Sequence, residues 1–282
     1  MIAGIYTNLS KDKDLSVTKQ IFSGLTAHGV QCAVSENLSN KITDVKTFSA
    51  SADGLDMMIV IGGDGTILDI VQHAAAKNIP VLGINLGKVG FLTEAEPNGF
   101  DSLSRAIAEK KYKVEKRAML CAEVGGQRFY ALNEFVVTRR NVSKMIMLRL
   151  AVGGEEVDKY YCDGMIVCTP TGSTAYSLSA GGPVISPKAK VFSVTPVNSH
   201  SLHSRPIVIG EEETVDFTLL ARADDAMVLA DGKNVCTLPE KQTISIFKAE
   251  RQALFVRLSE SKFYGRLLGK LNTWSITPSE EV

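Results

Sequence analysis

The first part of the chain alternates apolar runs with amphipathic segments. IAGIYT (2–7), VQCAV (30–34), MMIVI (57–61) and IPVLGIN (79–85) are apolar stretches of strand length. MMIVI is apolar at every position, the pattern of a strand buried on both faces in a parallel sheet. Segments of helical period lie between them. Residues 11–28 place Leu15, Ile21, Phe22 and Leu25 near helical spacing and stop before Gly29, a residue suited to a helix C-terminus. Residues 66–77 put Ile67, Ile70, Val71, Ala74 and Ala75 on one face. A further helix is expected up to about Lys110, with Asp101 as its cap. Strand–helix alternation of this kind predicts an α/β domain with a parallel, Rossmann-like sheet over residues 1–110.

After Lys111 the period changes. KVEKRAMLCAEV and QRFYALNEFVVTR flank one Gly-Gly pair, and MIMLRLAV and EEVDKYYCDGMIVCTP flank another, so two hairpins are expected. RPIVI, TVDFTLLA, AMVLADGKNVCTL, TISIFKA and ALFVRL follow, with turn residues between them. Many short strands at regular spacing predict a β-rich, sandwich-like domain over residues 111–259. FYGRLLGKLNTW returns to helical period, and residues 260–282 are expected to pack back on the first domain, with Trp274 as a packing residue.

Composition narrows the partners. The 282 residues suffice for two domains, each with its own core. Lys plus Arg and Asp plus Glu number 31 each, so the basic footprint of a nucleic-acid binder is missing and no nucleic acid is expected. No apolar run approaches the roughly 18 residues of a membrane span. The N-terminus lacks a basic stretch followed by a long apolar one. A cytoplasmic protein without a membrane partner is expected. The five cysteines form no C-x-x-C pair and read as reduced thiols rather than a zinc site. His200 and His203 read as loop or interface residues rather than metal ligands.

Four stretches carry candidate chemistry. In IGGDGTILD (61–69), a glycine-flanked acid stands between a buried strand and a helix, at the edge of a parallel sheet where ligands bind. Glycines let a phosphate approach the backbone, and the helix N-terminus adds a positive dipole end. An ordinary βα turn with a capping aspartate is the competing reading. The Walker loop is only faintly echoed by GINLGKVG (83–90), where Val89 follows Lys88, and G-x-G-x-x-G does not occur. In CDGMIVCTPTGSTAYSLSAGGPV (162–184), Asp163 precedes an apolar strand. A run of hydroxyl residues follows, able to start a helix and hold a polar ligand, with Tyr176 as a flat face for a base or ribose. In LNEFVVTR (132–139), Asn133 and Glu134 interrupt an apolar strand. At least one of them points inward or sits at a strand end, and a buried Glu is costly unless something pairs with it. LADGKNV (229–235) reads first as a hairpin turn.

These stretches occur in the order found in NAD kinases, and the chain resembles that family over nearly its whole length. The matching motifs are GGDGT (62–66), GKVGFLTE (87–94), NE (133–134), Asp163-Gly164 with TPTGSTAYSLSAGGP (169–183), and the late Asp231-Gly232. The long TPTGSTAYSLSAGGP motif is the specific one. GGDGT alone is shared with lipid kinases and phosphofructokinases. The resemblance implies an α/β domain and a β-rich domain with the active site between them, and a homo-oligomer, often a tetramer. It further implies a divalent metal, Mg²⁺, carried with the phosphate donor, and as partners NAD with ATP or polyphosphate.

By position, the resemblance makes Asp64 the proton acceptor, with Gly62, Gly63, Gly65 and Thr66 on the donor phosphates. The NAD contacts it implies fall on Asp64, Gly65, Phe91, Asn133, Glu134, Asp163, Thr174, Ala175, Tyr176, Ser177, Leu178 and Ser179. Three further positions are carried over. Lys144 lies eleven residues after Asn133. Tyr161 stands where relatives often have a basic residue, and Lys233, followed by Asn234, stands where Gln or Asn is common. The implied activity is transfer of a phosphoryl group to the 2′-hydroxyl of the adenosine ribose of NAD, giving NADP. A lipid kinase with the same glycine–aspartate loop, and a non-catalytic NAD(P)-binding regulator, are the competing functions. The polar run at 169–179 argues against an acyl channel, and Asp64 argues against a purely binding role.

Overall fold

Hydrogen-bonded strand pairs organise the chain into two compact units in the computed structural model, which describes residues 1–42, 45–49, 54–87, 90–94, 99–201, 203–220, 225–259 and 263–274. One unit comprises Met1–Lys116 with Leu254–Val282, the other Arg117–Ala253.

The first unit is α/β, as its pattern predicts. Its strands are β1 (Ile2–Thr7), β2 (Gln31–Ser35), β3 (Lys46–Phe48), β4 (Met57–Gly62) and β5 (Val81–Asn85), paired in parallel in the order β3-β2-β1-β4-β5. Every residue of β4 and β5 is buried, which explains why their sequences do not alternate. Helices α1 (Ser16–Ala27), α2 (Asp64–Ala76) and α3 (Phe100–Ala108) cover the sheet. Ile21 and Leu25 of α1 and Leu103 and Ile107 of α3 share one core with Ala3, Ile5, Ile59 and Ile61.

Two local expectations are corrected. The first helix starts at Ser16 rather than residue 11, because polar side chains claim the preceding segment. Asn8 accepts from the amide and hydroxyl of Ser10. Asp12, 3% exposed, accepts from the amides of Val17 and Thr18 and from the Thr18 hydroxyl. Asp12 thus satisfies the open amides of α1 from outside the helix. Asp101 does not cap α3. The cap is Gly99, with φ at 101°, and Asp101 sits inside the first turn, where it bonds His28 at 3.1 Å and Arg105 at 3.4 Å. Gly99 takes the left-handed conformation without steric cost.

The second unit holds two antiparallel sheets over one core, the β-sandwich-like class predicted for it. Its strands are β6 (Lys113–Val124, beginning in the first unit), β7 (Gln127–Ala131), β8 (Glu134–Arg139), β9 (Ile146–Val152), β10 (Glu155–Cys162), β11 (Gly164–Cys168), β12 (Val191–Val197), β13 (Ile207–Gly210), β14 (Val215–Leu219), β15 (Ala226–Ala230), β16 (Lys233–Leu238) and β17 (Thr243–Arg257). One sheet runs β10-β9-β14-β17 with β6 and β7 attached, the other β13-β12-β11-β8-β15-β16. Phe135, Phe192, Phe217 and Leu148 fill the core from both sheets. The two Gly-Gly pairs turn the β6–β7 and β9–β10 hairpins with φ positive at both residues, the geometry that matches strand twist.

Strand β12 escapes sequence reasoning because Pro196 lies in it. The structure accommodates the proline because β13 pairs only with residues 191–194, leaving Pro196 bonded on one side to β11. The hydroxyl-rich run forms no continuous helix. A 3-10 turn (Gly172–Thr174) and the one-turn α4 (Tyr176–Ser179) are separated by Ala175, whose φ of −102° and ψ of −129° break the helical path. The last strand ends in the first unit, where Phe255 pairs with Val81 of β5, and α5 (Phe263–Trp274) follows. The Trp274 side chain lies outside the described set, as do Lys88 and Val89 of the GKVGFLTE motif. No helix among the described residues is long and apolar enough to cross a membrane.

Candidate functional site

In the first unit, β4 delivers Gly62 and Gly63 to the start of α2, and Asp64 is the first helical residue. Gly63 caps the helix with extended backbone, and its amide faces the Thr66 hydroxyl at 3.4 Å. Thr66 also receives the Asn8 amide at 3.1 Å, which ties the turn to the end of β1. The glycines are needed for different reasons. A Cβ on Gly62 would collide with Thr66, whereas one on Gly65, which is exposed, would meet no protein atom within 4 Å.

Asp64 does more than face solvent. Its carboxylate accepts from the amide of Phe91 at 2.8 Å and of Leu92 at 3.2 Å, and Gly90 lies so close that an added Cβ would overlap it. The GFLTE segment therefore clamps the acid by its backbone. That segment is itself anchored. Glu94, with a side chain 2% exposed, pairs with Arg257 at 3.3 Å and Arg266 at 3.4 Å. Arg257 also donates to the Leu92 carbonyl at 3.1 Å and pairs with Glu115 at 2.6 Å, and Arg266 donates to the Thr93 carbonyl at 2.9 Å. The Phe91 ring stands 6.0 Å from that of Phe263 on α5. Charged hydrogen bonds from the end of β17 and from α5 thus hold the loop that holds Asp64.

In the second unit the centre is Glu134. It is the first residue of β8, yet only 5% exposed, so it combines a strand end with burial. Its Oε2 has no hydrogen-bond partner. Burial, reinforced by the negative charge of Asp231 and opposed by the Tyr176 amide, pushes its carboxyl up to about 8. Asn133 beside it is 8% exposed, and its carbonyl lies against Gly172, where an added Cβ would overlap it.

Asp231, whose segment reads as a turn, has a second duty. Asp231-Gly232 forms the two-residue β15–β16 turn, with φ at 47° and 80°. The Asp231 carboxylate meanwhile accepts from the amides of Leu132, Asn133 and Glu134 at 2.9, 2.7 and 3.2 Å. It shapes the bend that presents the Asn-Glu pair. No local signal at 231 announces contacts 97 to 99 residues away; only the family resemblance, which counts Asp231-Gly232 among its motifs, marked the segment as more than a turn.

The hydroxyl run divides into two groups. Thr169 bonds the Leu132 carbonyl at 2.6 Å, Ser173 the Pro170 carbonyl at 2.7 Å, and the fully buried Ser177 meets Thr195 at 3.2 Å, so these side chains stabilise the loop itself. Arg117 donates to Thr171 at 3.2 Å. Tyr176 and Ser179 are exposed, and Thr174, Ala175 and Leu178 half-buried. Asp163 pairs with Arg139 at 3.2 Å and accepts from Asn198 at 3.0 Å, two partners that the sequence did not suggest. Tyr161 lies on the exposed side of β10, edge-on to His200 at 6.0 Å. Lys144 occupies the exposed turn after β8, and Lys233 is the exposed first residue of β16. Glu134, Asn133, Tyr176 and Asp231 come together in the structure.

The cysteines are free, and burial pushes Cys162 up to about 12 and Cys168 to about 11, which keeps both as unreactive thiols. Among the described residues no group of three or more His, Cys, Asp or Glu could hold a metal ion.

The first unit thus carries a glycine–aspartate turn on a parallel sheet, and the second a buried carboxylate on an antiparallel one. The family model for the ATP-NAD kinase N-terminal domain matches residues 4–112, and that for the ATP-NAD kinase C-terminal domain matches residues 132–258. An NAD kinase of Caldanaerobacter subterraneus subsp. tengcongensis is 37% identical over 277 residues, 95% of this chain and 98% of that one. An NAD kinase of Methanothermobacter thermautotrophicus is 34% identical over 273 residues, 96% of each. Among solved structures, an NAD kinase from Archaeoglobus fulgidus in complex with ATP superimposes with a TM-score of 0.77 at 31% identity, covering 97% of this chain and 99% of that one. Yeast NADH kinase complexed with NADH gives 0.86 at 21% identity, covering 100% and 90%, a likeness of fold. The chain belongs to the ATP-NAD kinase family.

Proposed function

We propose that the chain phosphorylates the 2′-hydroxyl of the adenosine ribose of NAD with ATP as donor, giving NADP and ADP. The 2′-oxygen attacks the γ-phosphorus, the bond from that phosphorus to the β–γ bridging oxygen breaks, and the hydroxyl proton passes to Asp64. The observation that carries this reading is the clamped Asp64. Its carboxylate is fixed by two amides beside a glycine turn with open space at Gly65, so base and phosphoryl site share one loop. Phosphoryl transfer needs mainly positioning and charge stabilisation, and this loop supplies both.

Glu134, with its unpartnered Oε2, and Asn133 take the donors of the adenosine moiety, and the exposed Tyr176 offers its ring to the base. A ligand hydroxyl or amino group bonded to Glu134 supplies the partner that its buried oxygen lacks. A divalent metal, Mg²⁺, would travel with the donor phosphates, as magnesium commonly does through substrate phosphates in kinase sites. The metal neutralises charge on those phosphates when bound.

Other nucleoside triphosphates or polyphosphate remain donors to compare with ATP. A cytoplasmic homo-oligomer completes the reading. Met147 and Tyr161, paired across β9 and β10, are among the exposed apolar side chains available for such an assembly to cover.

The test is formation of NADP from NAD and ATP with and without Mg²⁺, alongside diacylglycerol as alternative acceptor. ATP-dependent NADP formation is the expected result. Nucleotide binding with no product, or transfer to the lipid alone, would refute the reading.

A further inference from the structure

The first unit contains a cavity of about 290 Å³ that no role assigned above uses. Strand register builds one side of it. Ile5 pairs with Val34 and Ser35 with Phe48, so Tyr6, Ser35 and Phe48 stand side by side on one face at the carboxyl ends of β1, β2 and β3. Asp69, Ile70 and His73 of α2 form the other side. Gly4 is part of the construction. A Cβ there would overlap Leu55 and lie 3.1 Å from the Phe48 ring, so the missing side chain lets the ring settle against the sheet.

The lining has the chemistry of a nucleoside site. Two aromatic rings flank a small hydroxyl, and Ile70 gives an apolar patch. Asp69 and His73 supply polar groups on one rim, and the exposed Glu36 and Asn37 on the other. The volume lies near the lower end of small-ligand pockets, roughly 300 to 1,000 Å³, which suits one nucleoside rather than a dinucleotide. The cavity also stands in register with the Asp64 turn. Asp69, Ile70 and His73 lie five to nine residues further along the same helix, a rise of roughly 7 to 14 Å at about 1.5 Å per residue. A polyphosphate chain bridges such a separation. An independent group lies at the turn itself. A Cβ on Gly63 would lie 2.7 Å from Lys11 Nζ, so an ammonium rests over the glycine turn.

We propose that this cavity holds the nucleoside of the triphosphate donor, with Lys11 against its phosphates and its terminal phosphoryl group at the Asp64 turn. The proposal rests on the phosphotransfer reading and adds where the donor's base and ribose lie. It also separates the donor's two halves: the cavity recognises the nucleoside, and Lys11 with the glycine turn recognises phosphate, which any polyphosphate shares.

Three variants test it: His73→Trp, which fills the cavity from an exposed helix position, Tyr6→Ala, which removes a ring, and Lys11→Ala. KM is measured for ATP and for NAD, and binding of fluorescent anthraniloyl-ATP is followed without NAD. Melting temperature reports the fold. The two cavity variants are expected to raise KM for ATP and weaken the probe about tenfold, with KM for NAD within about twofold of the parent. Tripolyphosphate should displace the probe from the parent, and lose potency in Lys11→Ala.

Should the parent make NADP while folded His73→Trp and Tyr6→Ala keep its KM for ATP and its affinity for the probe, the cavity is not the donor site. Equal losses for ATP and NAD overturn the proposal too, since they place the acceptor there. If the parent makes no NADP yet the cavity variants lose the probe, the nucleoside site stands and the reaction assigned above falls.

Discussion

Asp64 and Glu134 each begin a secondary structure element, Asp64 the helix α2 and Glu134 the strand β8, yet their surroundings differ in kind. Asp64 is half-buried, and backbone amides reach both of its oxygens. Glu134 is 5% exposed, one oxygen has no partner, and its carboxyl is pushed up to about 8 by burial and by Asp231. A base must be held in place and reachable when its proton arrives, and the two amides fix the Asp64 carboxylate in one orientation. A carboxyl that waits for a ligand's donors can stay protonated until the ligand supplies them. The difference teaches that similar acids acquire distinct roles through the donors around them, and those donors come from distant parts of the chain.

The largest effect expected from breaking this contrast is on turnover. Asp64→Asn should lower kcat by at least about a hundredfold, the scale of a lost general base, while NAD affinity and melting temperature change little. Glu134→Gln should instead act mainly on KM for NAD. Equal losses of kcat in the two variants, with NAD still bound, would erase the proposed division of roles.

The clamp behind Asp64 is next. Arg257→Ala leaves the buried Glu94 and the partly buried Glu115 without this partner and should cost roughly 3 to 5 kcal/mol, read from chemical denaturation. Arg257→Lys should recover part of that stability. If the loop matters for catalysis, it should recover less of kcat, because a single ammonium cannot reach both acids and the Leu92 carbonyl.

A third prediction concerns pH. The folded carboxyl of Glu134 titrates above its ordinary value of 4.5, so the folded state binds the extra proton. Its contribution to stability is fully present below about pH 4.5 and is lost as pH rises through about 8, on the order of a few kcal/mol across that window. Glu134→Gln should flatten this part of the stability curve. NAD binding near neutral pH should release a proton in the parent and not in the variant, measured by calorimetry in buffers of different ionisation heat.

The smallest effect is expected from Asp231→Asn. Asparagine tolerates the positive φ of the turn and keeps one strong acceptor, so the fold should survive. Removing the charge should move the Glu134 titration to lower pH, visible as a shifted midpoint in the same stability profile. An unmoved midpoint would show that burial alone raises that carboxyl.

The glycine turn was legible because its signal is local: an all-apolar strand, glycines, an acid and a helical period within a few residues. The class of each unit was legible for the same reason, since side-chain periods of about 3.6 and of 2 register in short windows. The Pro196 strand was not, because whether a proline fits depends on which neighbour pairs beside it. The start of α1 was misplaced because Asp12 caps it from outside the helix. The hydroxyl run announced a polar site, but the division between loop-building hydroxyls and exposed ones came from packing against Thr195 and the Leu132 carbonyl.

The sequence by itself determined the two fold classes, the order of the motifs and the acids at their centres, because each is written in neighbouring residues. Only the tertiary structure decided what those acids contact. Glu94 meets Arg257 across 163 positions, Asp231 caps amides 97 to 99 residues away, and Tyr6, Ser35 and Phe48 form a row only through strand register. Such pairs arise when hydrophobic burial brings strands together and leaves polar groups to find partners across the fold, and no local pattern encodes which partner each will find.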